Sequence, residues 1–302
     1  TQGVSSAASD VYKRQIIDYQ DYPVKAAEVS TKARRSLGIG YIGLAHYLAK
    51  NGVKYSDKEA WALVDRLSEA FQYYLLRASC DVAMEKGKCD AFDRTKYADG
   101  LLPIDHYKKD VDKVVPHKQR MAWESLRKDI AKYGLRHSTL SAQMPSESSS
   151  VVSNETNGIE PPRALLSIKK SKKGPLKQIV PEFQKLKNEY TLLWDMPSNE
   201  GYINVVAMMQ KYFDQAISGN WSYNPLQFDN NEVPLSAMAQ DMLVAYKMGW
   251  KTSYYQNTYD AKTDLDEPAH PVGWHDNQKE MKSREEFESQ EDYDDYCEAC
   301  MI

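Results

Sequence analysis

The chain has 302 residues, a formal net charge of -4, 42% hydrophobic residues and 27% charged ones. That length fits one large α/β domain or two modest ones, at roughly 100–200 residues per domain, and the apolar share is enough for a core. No apolar run approaches the roughly 18–20 residues that cross a bilayer, no secretory h-region is visible, and the negative charge argues against a general nucleic-acid binder, so the sequence reads as soluble and cytoplasmic, with no membrane partner and no direct nucleic-acid partner.

Residues 1–15 show no hydrophobic period and read as linker or junction material. The most apolar stretch, residues 37–49, is interrupted by glycines and His46. Ser56, Asp57, Lys58 and Glu59 have capping-box spacing. They predict a helix with Leu63, Val64, Leu67, Phe71, Tyr74 and Leu75 on one face, with Cys80 at its end and Cys89 after it. A second helix carries Trp123, Leu126, Ile130 and Tyr133 and stops at Gly134. A β-like run over residues 135–144 follows and ends at Pro145. The pattern recurs further on. Leu235, Met238, Met242, Leu243 and Tyr246 form a helical stripe, Gly249 ends it, and residues 250–255 read as a strand. Helix, glycine, strand and polar segment in that order predict a parallel α/β barrel or sheet, whose functional groups gather at the C-terminal ends of strands. Residues 260–302 hold 14 Asp/Glu against 4 Lys/Arg and leave a body of net charge +6. Few aliphatic residues are available there to offset ordering entropy, so this acidic tail is expected to be mobile.

Four segments could carry chemistry. Pro145, Ser146, Glu147, Ser148 and Ser149 follow the predicted strand. A helix starting there offers free backbone N–H groups and hydroxyls, which suit a phosphate, although a plain serine-rich cap has the same composition. No Gly-Lys-Ser/Thr accompanies it, so it is not a Walker loop. Residues 157–163 read as a rigid turn. Tyr254 and Tyr255 are adjacent on a predicted strand and point to opposite faces unless the strand end bends or the rings stack. They are either packed tyrosines or a redox relay. Cys297 and Cys300 are spaced for a disulfide that a mobile tail could carry between sites. A zinc site would need two more ligands, and no metal site is expected. Cys80 and Cys89 are expected to pack as small hydrophobes.

Together these segments resemble the large (alpha) subunit of class I ribonucleotide reductase, specifically its C-terminal part. The most specific stretch is Trp123-Glu-Ser-Leu126, then Gly134-Leu-Arg-His137 and Ser-Thr-Leu-Ser141-Ala142-Gln-Met-Pro145, running into Pro-Ser-Glu-Ser-Ser. Asp18-Tyr-Gln-Asp-Tyr-Pro23, Arg35-Ser-Leu-Gly-Ile-Gly40, Leu102-Pro-Ile-Asp105, residues 157–163 and Tyr254 to Thr258 agree with it. The resemblance spans residues 16–258, and the tail agrees in kind. Ser148 stands where many relatives have Thr, and His137 where Asn is common.

The resemblance implies an α/β fold: residues 16–259 are the later part of a ten-stranded α/β barrel and residues 260–302 a redox tail. It implies that Pro145, Ser146, Glu147, Ser148 and Ser149 bind the diphosphate of a ribonucleoside diphosphate. It implies that Tyr254 and Tyr255 transfer radical character, and that Cys297 and Cys300 re-reduce an active-site disulfide. The implied activity is ribonucleoside diphosphate reduction by a radical mechanism. The implied partners are a beta subunit holding the metal-radical cofactor, a second alpha subunit, and thioredoxin or glutaredoxin. Nucleotide effectors belong to sites upstream of this part, and no cofactor is expected on it. The cysteine that becomes a thiyl radical and the two that supply electrons have no counterpart here, so the chain alone is expected to be inactive. Two other readings are a non-catalytic interaction module derived from the same barrel and, more weakly, a thiol oxidoreductase acting through the tail cysteines.

Overall fold

A computed structural model describes residues 16–171 and 174–260. Helix α1, Lys25–Arg34, ends where Arg35 takes a left-handed conformation (φ 50°). The Arg35 guanidinium then grips both carboxylate oxygens of Asp18, at 2.7 and 3.0 Å. Helix α2, Leu44–Lys50, buries Leu44, Ala45, Leu48 and Ala49.

Helix α3, Lys58–Lys86, begins close to the expected place but runs eleven residues past Leu75, so Cys80 lies inside it. The expected capping box does not form. Asp57 is the N-cap, and its carboxylate accepts the Lys54 N–H at 2.7 Å, closing the preceding loop instead. The buried side of α3 is also more polar than its apolar period implies. Asp65, Ser68, Glu69, Gln72 and Ser79 are buried beside Val64, Leu75 and Leu76. These polar groups persist inside because each has partners, as buried polar atoms must. Arg120 Nη1 donates to Asp65 and Glu69 at 2.8 and 3.0 Å, and the Lys211 ammonium is 3.3 Å from Asp65.

Helix α4, Trp123–Tyr133, matches expectation, with Trp123, Leu126 and Ile130 buried. Gly134 ends it at φ 73°, and Gly249 later ends α7 at φ 96°, conformations that cost glycine little. Residues 135–144 are extended, but not a regular strand as expected. Only one bridge forms, between Ile39 and Ser141, supported by Leu37 N–H to Thr139 O and Ala142 N–H to Ile39 O at 2.9 and 3.0 Å. The ladder stops because Gln143 closes it with its side chain. Its Oε1 accepts the Tyr41 N–H at 3.1 Å and its Nε2 donates to Tyr41 O at 3.0 Å.

Helix α5, Glu147–Ser153, follows directly. Strands β1, Leu166–Ser171, and β2, Gly174–Ile179, form an antiparallel hairpin. Helix α6, Glu200–Gln210, is buried from Gly201 to Gln210 and packs against α3 and α7. Strand β3, Gly219–Tyr223, pairs in parallel with β4, Ser253–Thr258, and helix α7, Leu235–Met248, connects them. Strand β4 begins three residues later than the sequence implied, because Trp250 is occupied elsewhere. Its indole stacks on Trp221 (centroids 4.5 Å apart) and donates to Thr252 O at 2.6 Å. Gly219 permits this, since any Cβ there would overlap the Trp250 ring.

One core surrounds α6, and a second gathers Leu75, Leu76, Trp123, Leu126 and Ile130 between α3 and α4. Phe71 packs against both. Each fully buried large aliphatic side chain contributes about 1.5–3 kcal/mol. Most of the expected stripe on α7 faces outward instead: Leu235, Met242, Leu243 and Tyr246 are exposed, while Met238 packs against the core with Ala245 and Met248. Among the described residues no helix is long and apolar enough to cross a membrane.

Candidate functional site

The extended segment 135–144 is held in place from beneath. Asp214 accepts the N–H groups of Leu140 and Ser141 at 2.7 and 3.2 Å, and its own N–H donates to Ser141 Oγ at 2.8 Å. The Tyr97 hydroxyl and the Gln72 amide complete its coordination. Burial pushes the Asp214 pKa above the usual carboxylate value, against the pull of these donors. This anchor and the Gln143 clasp fix the chain just before Pro145.

The turn then becomes the start of α5, with Ser146 as N-cap. The Ser146 Oγ is buried and has no hydrogen-bond partner among the described residues. Ser150 Oγ donates back to Ser146 O, whereas Pro145, Glu147, Ser148 and Ser149 are exposed. The helix starts where expected with Ser146 at the N-cap position, but its hydroxyl makes no cap hydrogen bond, and the first backbone N–H groups of a helix have no intrahelical partner.

Across a cavity of about 220 Å³ stands the end of β4. Its wall includes Pro145, Glu147 and Ser150 together with Tyr254 and Tyr255. The two tyrosine rings meet with centroids 3.9 Å apart and planes 54° apart. Although Tyr254 and Tyr255 are neighbours on β4, their rings meet rather than pointing to opposite faces. The interaction with Tyr255 raises the Tyr254 pKa above the ordinary tyrosine value.

Residues 157–163, which the sequence resolves only as a turn, supply the rest of the wall. Glu160 is half-buried there. Burial pushes its pKa up to about 7, with Glu147 adding to the rise while Arg163 and Asn220 oppose it. Arg163 Nη2 donates to Asn257 Oδ1 at 3.1 Å, and its guanidinium lies 5.4 Å from the centre of the Trp194 ring. Neither Glu160 nor Arg163 is assigned a role by the sequence. The clue present there was a charged pair flanking Pro161-Pro162, a rigid frame on which both charges must project in fixed directions.

Cys80 and Cys89 are buried free thiols, as expected. Burial pushes Cys80 up to about 11 and raises Cys89 as well, so neither is a ready thiolate. His137 exchanges hydrogen bonds with Ser79 Oγ inside the α3–α4 core and is structural. Cys297 and Cys300, with the rest of the acidic segment after residue 260, lie outside the described residues. Among the described residues no group of three or more His, Cys, Asp or Glu could hold a metal ion.

Comparison with known proteins places this geometry in context. The model of the ribonucleotide reductase barrel domain matches residues 11–256. The ribonucleoside-diphosphate reductase subunit alpha of Haemophilus influenzae is 58% identical over 252 residues, covering 83% of this chain and 33% of that protein. The ribonucleoside-diphosphate reductase 1 subunit alpha of Escherichia coli is 52% identical over 255 residues, 84% of this chain and 34% of that protein. The enterobacteria phage T4 subunit alpha is 43% identical over 247 residues, 81% of this chain and 32% of that protein. The chain thus spans about a third of the length of these curated relatives. A family-model match over most of the chain, with 43% to 58% identity to these relatives, shows that the chain belongs to the ribonucleotide reductase barrel-domain family.

Proposed function

We propose that this chain is the C-terminal portion of a class I ribonucleoside-diphosphate reductase large subunit. The observation that carries this reading is one cavity wall shared by the Pro145 turn and the Tyr254–Tyr255 pair. In this reading Pro145, Ser146, Glu147, Ser148 and Ser149 hold the substrate diphosphate. The N–H groups that open a helix, which lack an intrahelical acceptor, and the buried, unsatisfied Ser146 hydroxyl are suitable donors. The ribose then projects into the cavity, and fixed positioning with water exclusion is the contribution of this part.

Tyr255 and Tyr254 pass an oxidising equivalent from a beta subunit, which holds the metal-radical cofactor, to a cysteine of the complete alpha subunit. The thiyl radical removes a hydrogen atom from the ribose. Two further cysteines supply two electrons as the 2′-hydroxyl leaves as water, becoming a disulfide. Cys297 and Cys300 then exchange with that disulfide and are re-reduced by thioredoxin or glutaredoxin. A tethered tail makes such an exchange effectively intramolecular. The complete subunit pairs with a second alpha subunit, takes nucleotide effectors at other sites, and works in the cytoplasm for deoxyribonucleotide supply.

None of Cys80, Cys89, Cys297 and Cys300 is suited to the thiyl role, so the chain by itself binds diphosphate but does not turn over. Calorimetric titration with a ribonucleoside diphosphate, on this chain and on Ser146→Ala, tests the binding half. Loss of affinity in the variant supports it, and equal affinity overturns the assignment of the turn. Deoxyribonucleotide formation by this chain with a beta subunit would overturn the division of labour.

A further inference from the structure

Tyr255 is tied to a neighbouring strand by a side chain rather than by regular pairing alone. The register between β3 and β4 is irregular between Gly219 and Trp221, so Asn220 has no strand partner in the ladder. Its amide fills the gap. Asn220 Oδ1 accepts the Tyr255 N–H at 3.1 Å, and Asn220 Nδ2 donates to Glu160 Oε1. An amide can make both bonds only in one orientation, oxygen toward Tyr255 and nitrogen toward the carboxyl. Glu160 therefore selects the orientation of the side chain that holds the Tyr255 backbone.

We propose that the Glu160 carboxyl, acting through the Asn220 amide, is the positioning group that fixes Tyr255 against Tyr254. The inference rests on the proposed radical relay and adds to it two residues that line the same cavity and act through the Tyr255 backbone. Several groups face Glu160. Arg163 opposes it in charge and Glu147 matches it, and the buried phenols of Tyr55 and Tyr202 both sense its charge. Asn220 bonds directly to Glu160 and to the Tyr255 N–H, whereas Arg163 reaches β4 two residues further on, at Asn257. Loss of the carboxyl frees the amide to rotate. The Tyr255 N–H then faces an amide nitrogen, and the strand end shifts. Ring-to-ring contact at 3.9 Å is sensitive to such a shift, and a misplacement near 1 Å can cost about a hundredfold in rate.

The test uses the complete alpha subunit with its beta partner. Glu160→Ala and Asn220→Ala are each expected to lower kcat about tenfold or more while the KM for ribonucleoside diphosphate stays within about twofold. Glu160→Gln retains an acceptor for the Asn220 amide and is expected to recover most of the lost rate. The double alanine variant is expected to be no worse than either single one, because both break the same link. Three results overturn the proposal: additive losses in the double variant, a Glu160→Gln enzyme as impaired as Glu160→Ala, or a rise in KM that matches the fall in kcat, which would make Glu160 a substrate contact. Absence of turnover in the unaltered enzyme would instead overturn the relay itself.

Discussion

Tyr254 and Tyr255 are consecutive on a strand, yet their rings touch, with centroids 3.9 Å apart. Strand geometry sends neighbouring side chains to opposite faces; here the β3–β4 register is irregular and the Asn220 amide holds the Tyr255 N–H. The rings are tilted by 54° and both line the cavity that also holds Pro145 and Glu147, a contact close enough to suit the electron transfer proposed for them.

Phenylalanine at either position keeps the ring and removes the hydroxyl. In the complete alpha subunit, Tyr254→Phe and Tyr255→Phe are expected to lower deoxyribonucleotide formation by about a hundredfold or more, with ribonucleoside diphosphate affinity unchanged. Steady-state turnover and equilibrium binding measured side by side check this. Retained turnover would remove the tyrosines from the reaction.

Glu160 couples the site to pH. Its pKa is about 7 in the folded chain against an ordinary 4.5. A raised carboxyl pKa means that the folded state holds its proton more tightly than the unfolded state does. Stability should therefore fall as pH rises from about 4.5 to about 7 and level off above that. Urea midpoints collected across this range should show the slope in the unaltered chain and a flatter profile in Glu160→Gln.

Glu69 inside α3 behaves in the opposite sense. Burial raises Glu69, but the N–H groups of Arg120 and Met121, the Trp123 indole and the Arg120 guanidinium outweigh it and hold the pKa below the usual value. Its contribution to stability is present above the ordinary carboxylate range and is lost on acidification through the lowered pKa. Arg120→Met removes one guanidinium from both Asp65 and Glu69. A cost of about 3–5 kcal/mol in urea unfolding is expected, together with acid unfolding that begins at higher pH.

Gly219→Ala tests the junction between β3 and Trp250. The added methyl meets the indole, which is stacked between Trp221 and Thr252 O and has little room to retreat. Overpacking of this kind costs about 1–3 kcal/mol, measurable as a lower urea midpoint. The β4 end should shift with it and reduce turnover in the complete subunit.

Much of this arrangement is legible in the chain. Trp123, Leu126 and Ile130 announce α4 by their spacing, Gly134 and Gly249 mark two helix ends, and the Pro145 serine turn and the tyrosine pair stand out by composition. Other parts are not legible, for definite reasons. Helix α6 is buried on every side, so it has no polar face to reveal its period. Strand β3 is only Gly219–Tyr223 and contains Gly and Asn, which strands disfavour. Asp65, Glu69 and Gln72 look like a solvated face of α3 because their partners, Arg120, Lys211 and Asp214, are distant in sequence. Glu160 lies in a turn that looks rigid and inert until folding brings Asn220 beside it.

Gln143 has a further effect. By offering both a donor and an acceptor to the Tyr41 backbone, it impersonates one more residue of sheet and then refuses to continue it. Pairing is terminated by a side chain two positions ahead of Pro145, so the amides that open α5 are not consumed by a neighbouring strand. A glutamine counterfeiting backbone thus sets where extended pairing ends and the serine-capped position of α5 begins.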